Sequence, residues 1–167
     1  MHRLDKDTSG CLILIKNKNY IYQLNKKNNT ITKEYHALVV GNTQNNFNII
    51  LQQSILNKYN KKIKNDEKNT ISYCKKIKSY KSYSFIKILP VTGKIHQIRI
   101  HLSHIGHPVL NDKKYGNLNF NNNMKKIGIS RLLLHSASIK FICPIQHEEI
   151  NIKAPYDNII NNILNKL

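Results

Sequence analysis

A short polar segment opens the chain and leads directly into the apolar run Cys11 to Ile15. Because this run is apolar on both alternating faces, it is typical of a central strand covered on both sides. The polar segment then forms a turn at the mouth of that strand, with Asp5 between Arg3 and Lys6. Nearby positive charge favours the charged form of a carboxyl group, which suits a nucleophile or a base. Asp5 is therefore a candidate catalytic residue, unless it or Asp7 merely caps the turn.

The charge balance indicates a polyanionic partner. The sequence has 27 Lys plus Arg against nine acidic residues, a formal net charge of +18. Such a field attracts polyanions, so nucleic acid is the expected partner; the alternative is that abundant Lys raised the charge without any partner. No segment is typical of a membrane helix or of a membrane-binding amphipathic helix. The cysteines, Cys11, Cys74 and Cys143, are far apart and fit reduced thiols in a cytoplasmic protein.

Arginine is scarce in this chain, with only Arg3, Arg99 and Arg131 against 24 Lys (27 − 3 = 24). Where Lys is the default cation, a remaining Arg indicates a site that needs a planar, bidentate group. Arg99 falls in a predicted helix that follows a Thr-Gly turn and shares one of its faces with His96 and Ser103. We therefore expect Arg99 to pair with Asp5. The apolar spacing predicts a second, buried face of this helix, made by Ile95, Ile98, Leu102 and Ile105.

Four histidines near this helix raise the question of a metal site. His96, His101, His104 and His107 have no acidic or Cys ligand at zinc spacing, and they spread over more than one helix face. We expect no metal. The better interpretation is that some bind RNA phosphate or form local hydrogen bonds, while others satisfy backbone groups.

The remaining pattern predicts one α+β domain over residues 1–167. It indicates a surface helix within 17–29, a solvated Lys-rich loop within 53–69, an Asn-rich loop up to about 128 and a closing helix over 156–167. The predicted strands are 30–41, 47–51, 70–80, 82–89, 131–143 and 148–152.

Three stretches in order, residues 2–10, 33–37 and 92–101, resemble the signature motifs of the RluA-type pseudouridine synthases. The match continues at residues 106–108, 112, 115–116 and 134–136. Within the family, the sequences of residues 90–93 and 131–135 are most similar to the RluC branch. The resemblance implies the pseudouridine-synthase fold, a mixed and mostly antiparallel sheet with flanking helices and a central RNA-binding cleft. It implies isomerisation of uridine in large-subunit (23S) ribosomal RNA or a partly assembled subunit, by a monomer without metal or organic cofactor.

The resemblance also assigns roles to residues of this chain. It implies that Asp5 is the catalytic nucleophile and that Arg99 pairs with its carboxylate. Tyr35 packs on the target base and assists proton removal from C5, Leu134 forms an apolar wall, and Arg3 helps to fill the gap left by the flipped uridine. Further contacts with the RNA are implied for His2, Thr8, His96, Gln97 and His101.

In one respect the chain departs from this family. Relatives carry several tens of residues of the catalytic domain before the His-Arg-Leu-Asp box, and the RluC branch usually adds an S4 domain. We expect both to be missing here, through a misplaced start, a fragment or genome reduction. The alternatives to an enzyme are a truncated relative that only binds RNA and, from charge alone, a structural protein of the ribosome.

Overall fold

A computed structural model of the chain describes residues 3–24, 31–52, 69–126 and 128–166. Its strands are β1 (Ser9–Gly10), β2 (Thr32–Val40), β3 (Asn46–Gln52), β4 (Asn69–Ser79), β5 (Tyr83–Pro90), β6 (Leu134–Ile142) and β7 (Glu149–Lys153). Its helices are α1 (Asn19–Leu24), α2 (Gln97–His104), α3 (Leu118–Lys126) and α4 (Asn158–Lys166). The tail of the first predicted helix, 25–29, and most of the predicted Lys-rich loop lie outside the described residues.

Across the described ranges the strands form one mixed sheet in the order β1-β6-β2-β5-β4-β3, with β7 also paired to β6. The β1–β6 pair is parallel and every other pair is antiparallel. This confirms the predicted α+β class and the mostly antiparallel sheet. β2 to β5 and β7 lie within about two residues of their predicted bounds. β6 begins later than predicted.

Helices cover both faces of this sheet. On the face that carries Tyr35, Ile98 and Leu102 of α2 pack with the apolar residues of β2, β4 and β5. On the other face, Ile160 and Ile163 of α4 pack against Leu38 and its neighbours. The sheet therefore separates two apolar cores, and the first one supports the cleft described below.

The predicted buried strand from Cys11 to Ile15 is wrong. These residues lie outside any strand, and Leu14 is 82% exposed. The physical reason is competition for one strand edge: β1 pairs with the start of β6, and β7 occupies the same strand from Ser138 onward. An apolar run predicts burial, but it does not show whether a partner edge is free.

The Asn-rich loop predicted up to residue 128 contains α3 instead. The Asn117 side chain accepts hydrogen bonds from the N–H groups of Asn119 and Phe120, which caps the helix. Met124 is buried among the residues of the second core. Capping and burial thus override the low helix propensity of Asn.

The prediction for α2 is only partly confirmed. Ile98 and Leu102 are buried, as expected, but Ile95 and Ile105 are 44% and 37% exposed because both lie outside the helix. Among the described helices, none is long and apolar enough to cross a membrane.

Candidate active site

The turn that carries Asp5 is fixed to β6. Within the turn, the Thr8 N–H donates to the Asp5 carbonyl at 2.9 Å, and the Ser9 hydroxyl lies 2.8 Å from Nδ1 of His135. Gly10 has φ +104°, and a Cβ on it would lie 2.1 Å from the Ser136 carbonyl oxygen. Only glycine fits such a backbone and such an approach. The short β1 therefore sets the position of the candidate carboxylate.

Asp5 forms an ion pair with Arg99, as predicted, and Arg99 also pairs with a second carboxylate, that of Asp112. The Arg99 guanidinium donates from Nη1 to Oδ2 of Asp5 at 3.0 Å. Its Nε donates to Oδ2 of Asp112 at 2.6 Å, and its Nη2 donates to Oδ1 of Asp112 at 2.8 Å. Asp112 thus holds the guanidinium by a bidentate pair and turns its remaining edge toward Asp5.

These contacts also decide the charge states of the pair that anchors the site. Burial alone would lower the pKa of Arg99, but the hydrogen bonds and charges of Asp112 and Asp5 raise it. Burial would raise the pKa of Asp112, whereas hydrogen bonds from Arg99 and from the N–H groups of Lys114 and Tyr115 lower it. Both groups are therefore charged near neutral pH, although the Asp112 side chain is fully buried.

The second oxygen of Asp5 is open to the cleft. Within the part of the chain that the structure describes, Oδ1 of Asp5 accepts no hydrogen bond, and Nε2 of His96 lies 3.7 Å away. The other ring nitrogen of His96 lies 2.9 Å from the Tyr115 hydroxyl. Burial lowers the pKa of His96 despite the neighbouring Asp5 charge. Asp5 is thus held by one oxygen and available through the other.

The cleft next to this oxygen has a volume of about 140 Å³ and an apolar side. Tyr35 and Leu134 both belong to its lining. Burial, with a smaller effect of the Asp5 charge, raises the pKa of Tyr35 to about 12, so its hydroxyl is neutral at physiological pH. The open oxygen of Asp5 thus lies in a cleft that a neutral phenol ring and an aliphatic side chain also line.

Eight of the ten predicted site residues belong to this lining: Arg3, Asp5, Thr8, Tyr35, His96, Gln97, Arg99 and Leu134. His2 lies outside the described residues. Gln97 is almost fully buried and bonds Thr92 and Ile71, so it holds the loop before α2.

The predicted RNA contact of His101 is wrong for this conformation. The side chain is fully buried, and its Nε2 lies 2.8 Å from the Thr70 hydroxyl. The spacing of histidines along a helix could not show that this one faces the sheet. His107 also serves the fold, because its Nδ1 lies 2.8 Å from the Val40 carbonyl oxygen.

Sequence reasoning missed two residues of the site. Asp112 was matched only as part of a motif, and its pairing with Arg99 across 13 positions needs the tertiary fold. Lys33 lines the cleft, and its signal was its place two residues before Tyr35 on the same strand. Among the described residues, no three His, Cys, Asp or Glu side chains lie close enough to hold a metal ion.

Comparison with known proteins gives a consistent result. A family model described as RNA pseudouridylate synthase matches residues 1–104. The chain is 39% identical, over 100% of its length and 56% of the relative's, to ribosomal large subunit pseudouridine synthase C of Buchnera aphidicola subsp. Schizaphis graminum. The protein of the same name from Pasteurella multocida is 33% identical over 100% of this chain and 53% of its own length. The chain thus spans about half the length of the curated relatives it matches.

Solved structures support the fold. Human RNA pseudouridylate synthase domain containing 4 superposes with a TM-score of 0.72 at 24% identity, covering 99% of this chain and 74% of that one. Human RNA pseudouridylate synthase domain containing 1 gives a TM-score of 0.71 at 24% identity, covering 93% and 67%. At this identity the likeness concerns the fold alone.

Proposed function

Because the chain belongs to the RNA pseudouridylate synthase family, we propose that it isomerises specific uridines to pseudouridine in large-subunit (23S) ribosomal RNA. The observation that supports this most is the geometry of Asp5. One of its oxygens is held by Arg99, and the other faces a cleft walled by Tyr35 and Leu134. The relatives named ribosomal large subunit pseudouridine synthase C support the choice of RNA.

In the proposed reaction, Asp5 attacks the uridine through its free Oδ1, and the bond formed in this way breaks again before the product leaves, which regenerates the carboxylate. The bond between C1′ of the ribose and N1 of the base breaks, the base turns, and a bond forms between C1′ and C5. The C5 proton leaves and N1 takes up a proton, so substrate and product contain the same atoms. The reaction therefore requires no oxidant, reductant or group donor.

The neighbouring residues position the reacting groups. Arg99 fixes the rotamer of Asp5, and Asp112 fixes Arg99, so the carboxylate needs no reorganisation when the base arrives. Tyr35 and Leu134 hold the flat faces of the base. Since the Tyr35 hydroxyl is neutral, we propose that it assists removal of the C5 proton as a relay, taking up this proton while it passes its own proton to another base.

Arg3 is exposed at the rim of the cleft, where the RNA would enter. We propose that its guanidinium fills the gap left by the flipped uridine, because extrusion of a base costs a few kcal/mol and a planar cation can stack there. Thr8 lies deeper, and its buried hydroxyl oxygen has no hydrogen-bond partner among the described residues. An RNA contact of Thr8 would need a small movement of the turn.

We further propose that residues 1–167 act as one catalytic domain and as a monomer in the cytoplasm. The three cysteines are free in the structure, which supports a reducing compartment.

The proposal is tested by mapping pseudouridine with carbodiimide labelling and primer extension. Unmodified large-subunit RNA is incubated with the 167-residue chain, with Asp5→Asn and with the matched control Asp7→Asn, an exposed carboxylate of the same turn. We expect pseudouridine at discrete sites with the wild type and with Asp7→Asn. Asp5→Asn should lose at least about 10⁴-fold in rate, as expected for removal of a nucleophile, while it still binds the RNA.

Two outcomes would contradict this proposal. Unchanged turnover by Asp5→Asn would remove the carboxylate from the chemistry. RNA binding by the wild type without any modification would assign the chain to RNA binding alone.

A further inference from the structure

Lys33 is a half-buried cation of the cleft that has no counterion among the described residues. It lies on β2 and belongs to the cleft lining together with Tyr35. Within the described ranges, no carboxylate lies at ion-pair distance from its ammonium group. Burial lowers its pKa, because desolvation disfavours the charged form. A desolvated cation without a counterion is a cost that a bound anion would offset.

Three other lysines of the sheet are arranged differently. Lys87 on β5 lies 2.7 Å from Glu34, and Lys140 on β6 lies 2.7 Å from Glu149. Lys76 on β4 donates to the Thr43 carbonyl and to Asn42. Each of these ammonium groups has a protein acceptor, whereas Lys33 turns its charge toward the cleft.

The charged end of Lys33 lies beside Gly93 in the lining of the cleft. A Cβ placed on Gly93 would lie 3.5 Å from Nζ of Lys33, so the ammonium lies beside a residue without a side chain. Lys94 and Arg3 line the same cleft and add positive charge. The ligand of such a site is therefore an anion.

Lys33 and Tyr35 lie two positions apart on β2, and both line the cleft. Residues two apart on a strand point to the same face, and their backbones are separated by about 6.6 to 6.8 Å. A nucleotide whose base contacts Tyr35 therefore has Lys33 as a neighbouring cation on the same face of the sheet. An ammonium group binds phosphate as a compact point charge, without needing the fork of an arginine.

We propose that Lys33 binds a backbone phosphate next to the target uridine, so that the cleft holds the base against Tyr35 and the phosphate on Lys33. This inference rests on the proposed function for the identity of the base, but the phosphate contact can be measured without turnover.

The first experiment measures RNA affinity against salt concentration, with unmodified large-subunit RNA as the probe. Each phosphate contact adds about 0.7 to 0.9 to the log-log slope. Lys33→Gln should lower the slope by that amount, so that its affinity deficit changes about threefold between 50 and 200 mM salt. Lys33→Arg should keep the slope. Lys87→Gln, which removes the same charge from the opposite face, is the matched control and should change it much less.

The second experiment locates the phosphate. In a fragment that contains a modified uridine, the phosphates on its two sides are replaced one at a time by uncharged methylphosphonate. At one position the wild type should lose affinity, while Lys33→Gln should lose no more than it has already lost. Thermal unfolding of each variant checks that the fold is kept.

The outcomes separate this inference from the proposed function. An unchanged slope for Lys33→Gln, or equal changes for Lys33→Gln and Lys87→Gln, would overturn the phosphate site even if uridines are modified. A lowered slope without any pseudouridine would keep the phosphate site and reject the isomerase.

Discussion

Two carboxylate clusters lie on opposite faces of β2, and they differ in how completely their oxygens are occupied. The rear cluster is Glu34, His36 and Lys87: Oε1 of Glu34 lies 2.9 Å from His36 and Oε2 lies 2.7 Å from Lys87. The front cluster is Asp5, Arg99 and Asp112. In it, one carboxylate is fully engaged and buried, while the other keeps an open oxygen.

The difference shows what leaves a carboxylate oxygen open in this fold. In the rear cluster both oxygens of the single carboxylate, Glu34, already have a partner. This cluster therefore stabilises the sheet, and it presents no open carboxylate oxygen to a substrate. In the front cluster Asp112 accepts two hydrogen bonds from Arg99, so that Asp5 binds the guanidinium through one oxygen only. A second carboxylate behind the arginine is therefore the feature that distinguishes a site from a surface ion pair.

The largest effect on stability should come from Asp112→Asn. This change leaves the charge of Arg99, whose side chain is 11% exposed, with a neutral partner in place of its bidentate carboxylate. Breaking a buried pair from one side costs about 3 to 5 kcal/mol. Urea unfolding measures this loss. A cost below about 1 kcal/mol would show that Asp112 does not anchor the front cluster.

Arg99→Lys should come next, and it should affect turnover more than affinity. A lysine keeps the charge but cannot engage Asp112 and Asp5 with one rigid fork. Misplacement of a catalytic group by about 1 Å can cost about 100-fold in rate, so we expect a loss of that order in single-turnover rate. RNA affinity and its salt slope should stay close to those of the wild type. Equal losses of rate and affinity would contradict the positioning role.

The histidines on the two faces of the sheet should contribute differently to the loss of stability at low pH. His101, behind the front cluster, has a lowered pKa of about 4 because it is buried, and the charge of His104 adds to the shift. The Thr70 hydroxyl donates to the Leu51 carbonyl and so accepts from Nε2 of His101, while Nδ1 has no partner among the described residues. A proton on Nδ1 would therefore find no acceptor.

The sign of the effect follows from this lowered pKa. Between pH 6.5 and about 4 the unfolded chain binds the proton more readily than the folded chain, so stability falls as the pH falls through this window. The slope due to one histidine approaches about 1.4 kcal/mol per pH unit. Urea unfolding at several pH values should show a flatter dependence for His101→Gln. His36→Gln should keep most of the slope, since Glu34 opposes the burial that lowers the pKa of His36. An equally flat pH dependence of stability in both variants would contradict the predicted difference between His101 and His36.

The smallest effect should come from Glu34→Gln. Its side chain is 25% exposed, whereas that of Asp112 is fully buried. Ion pairs that reach solvent contribute about 0 to 1 kcal/mol, and we expect a loss of stability in that range with unchanged turnover. The same urea series measures it. A loss as large as that of Asp112→Asn would mean that the rear cluster is no simple surface pair.

The sequence predicted the pairing of Asp5 with Arg99 well because its signals were local. Asp5 lies in a polar turn, and Arg99 is one of three arginines in a chain full of lysine. The partners of these residues were harder to predict. Asp112 pairs with Arg99 only when the loop after α2 folds back, and His101 faces the sheet although Arg99, two positions earlier on α2, lines the cleft.

The errors in the fold have the same origin. The apolar run after Gly10 was predicted as a strand because its composition indicates burial, but β7 already occupies the strand edge that the run would need. The Asn-rich segment was predicted as a loop because Asn disfavours helices, but Met124 finds a buried place in the second core. In both cases a tertiary contact overrode the local preference.

The pairing of β1 with β6 has a consequence for the order of events during synthesis. Asp5 is made well before the strand that fixes its turn, because Ser9 and Gly10 find their partners at His135 and Ser136, 126 positions later. Closing so long a loop precedes any gain from the contact, so β1 docks late. The Asp5 carboxylate therefore lacks the strand that fixes its turn until β6 has been made, and a nascent chain that ends before β6 carries Asp5 in an unfixed turn.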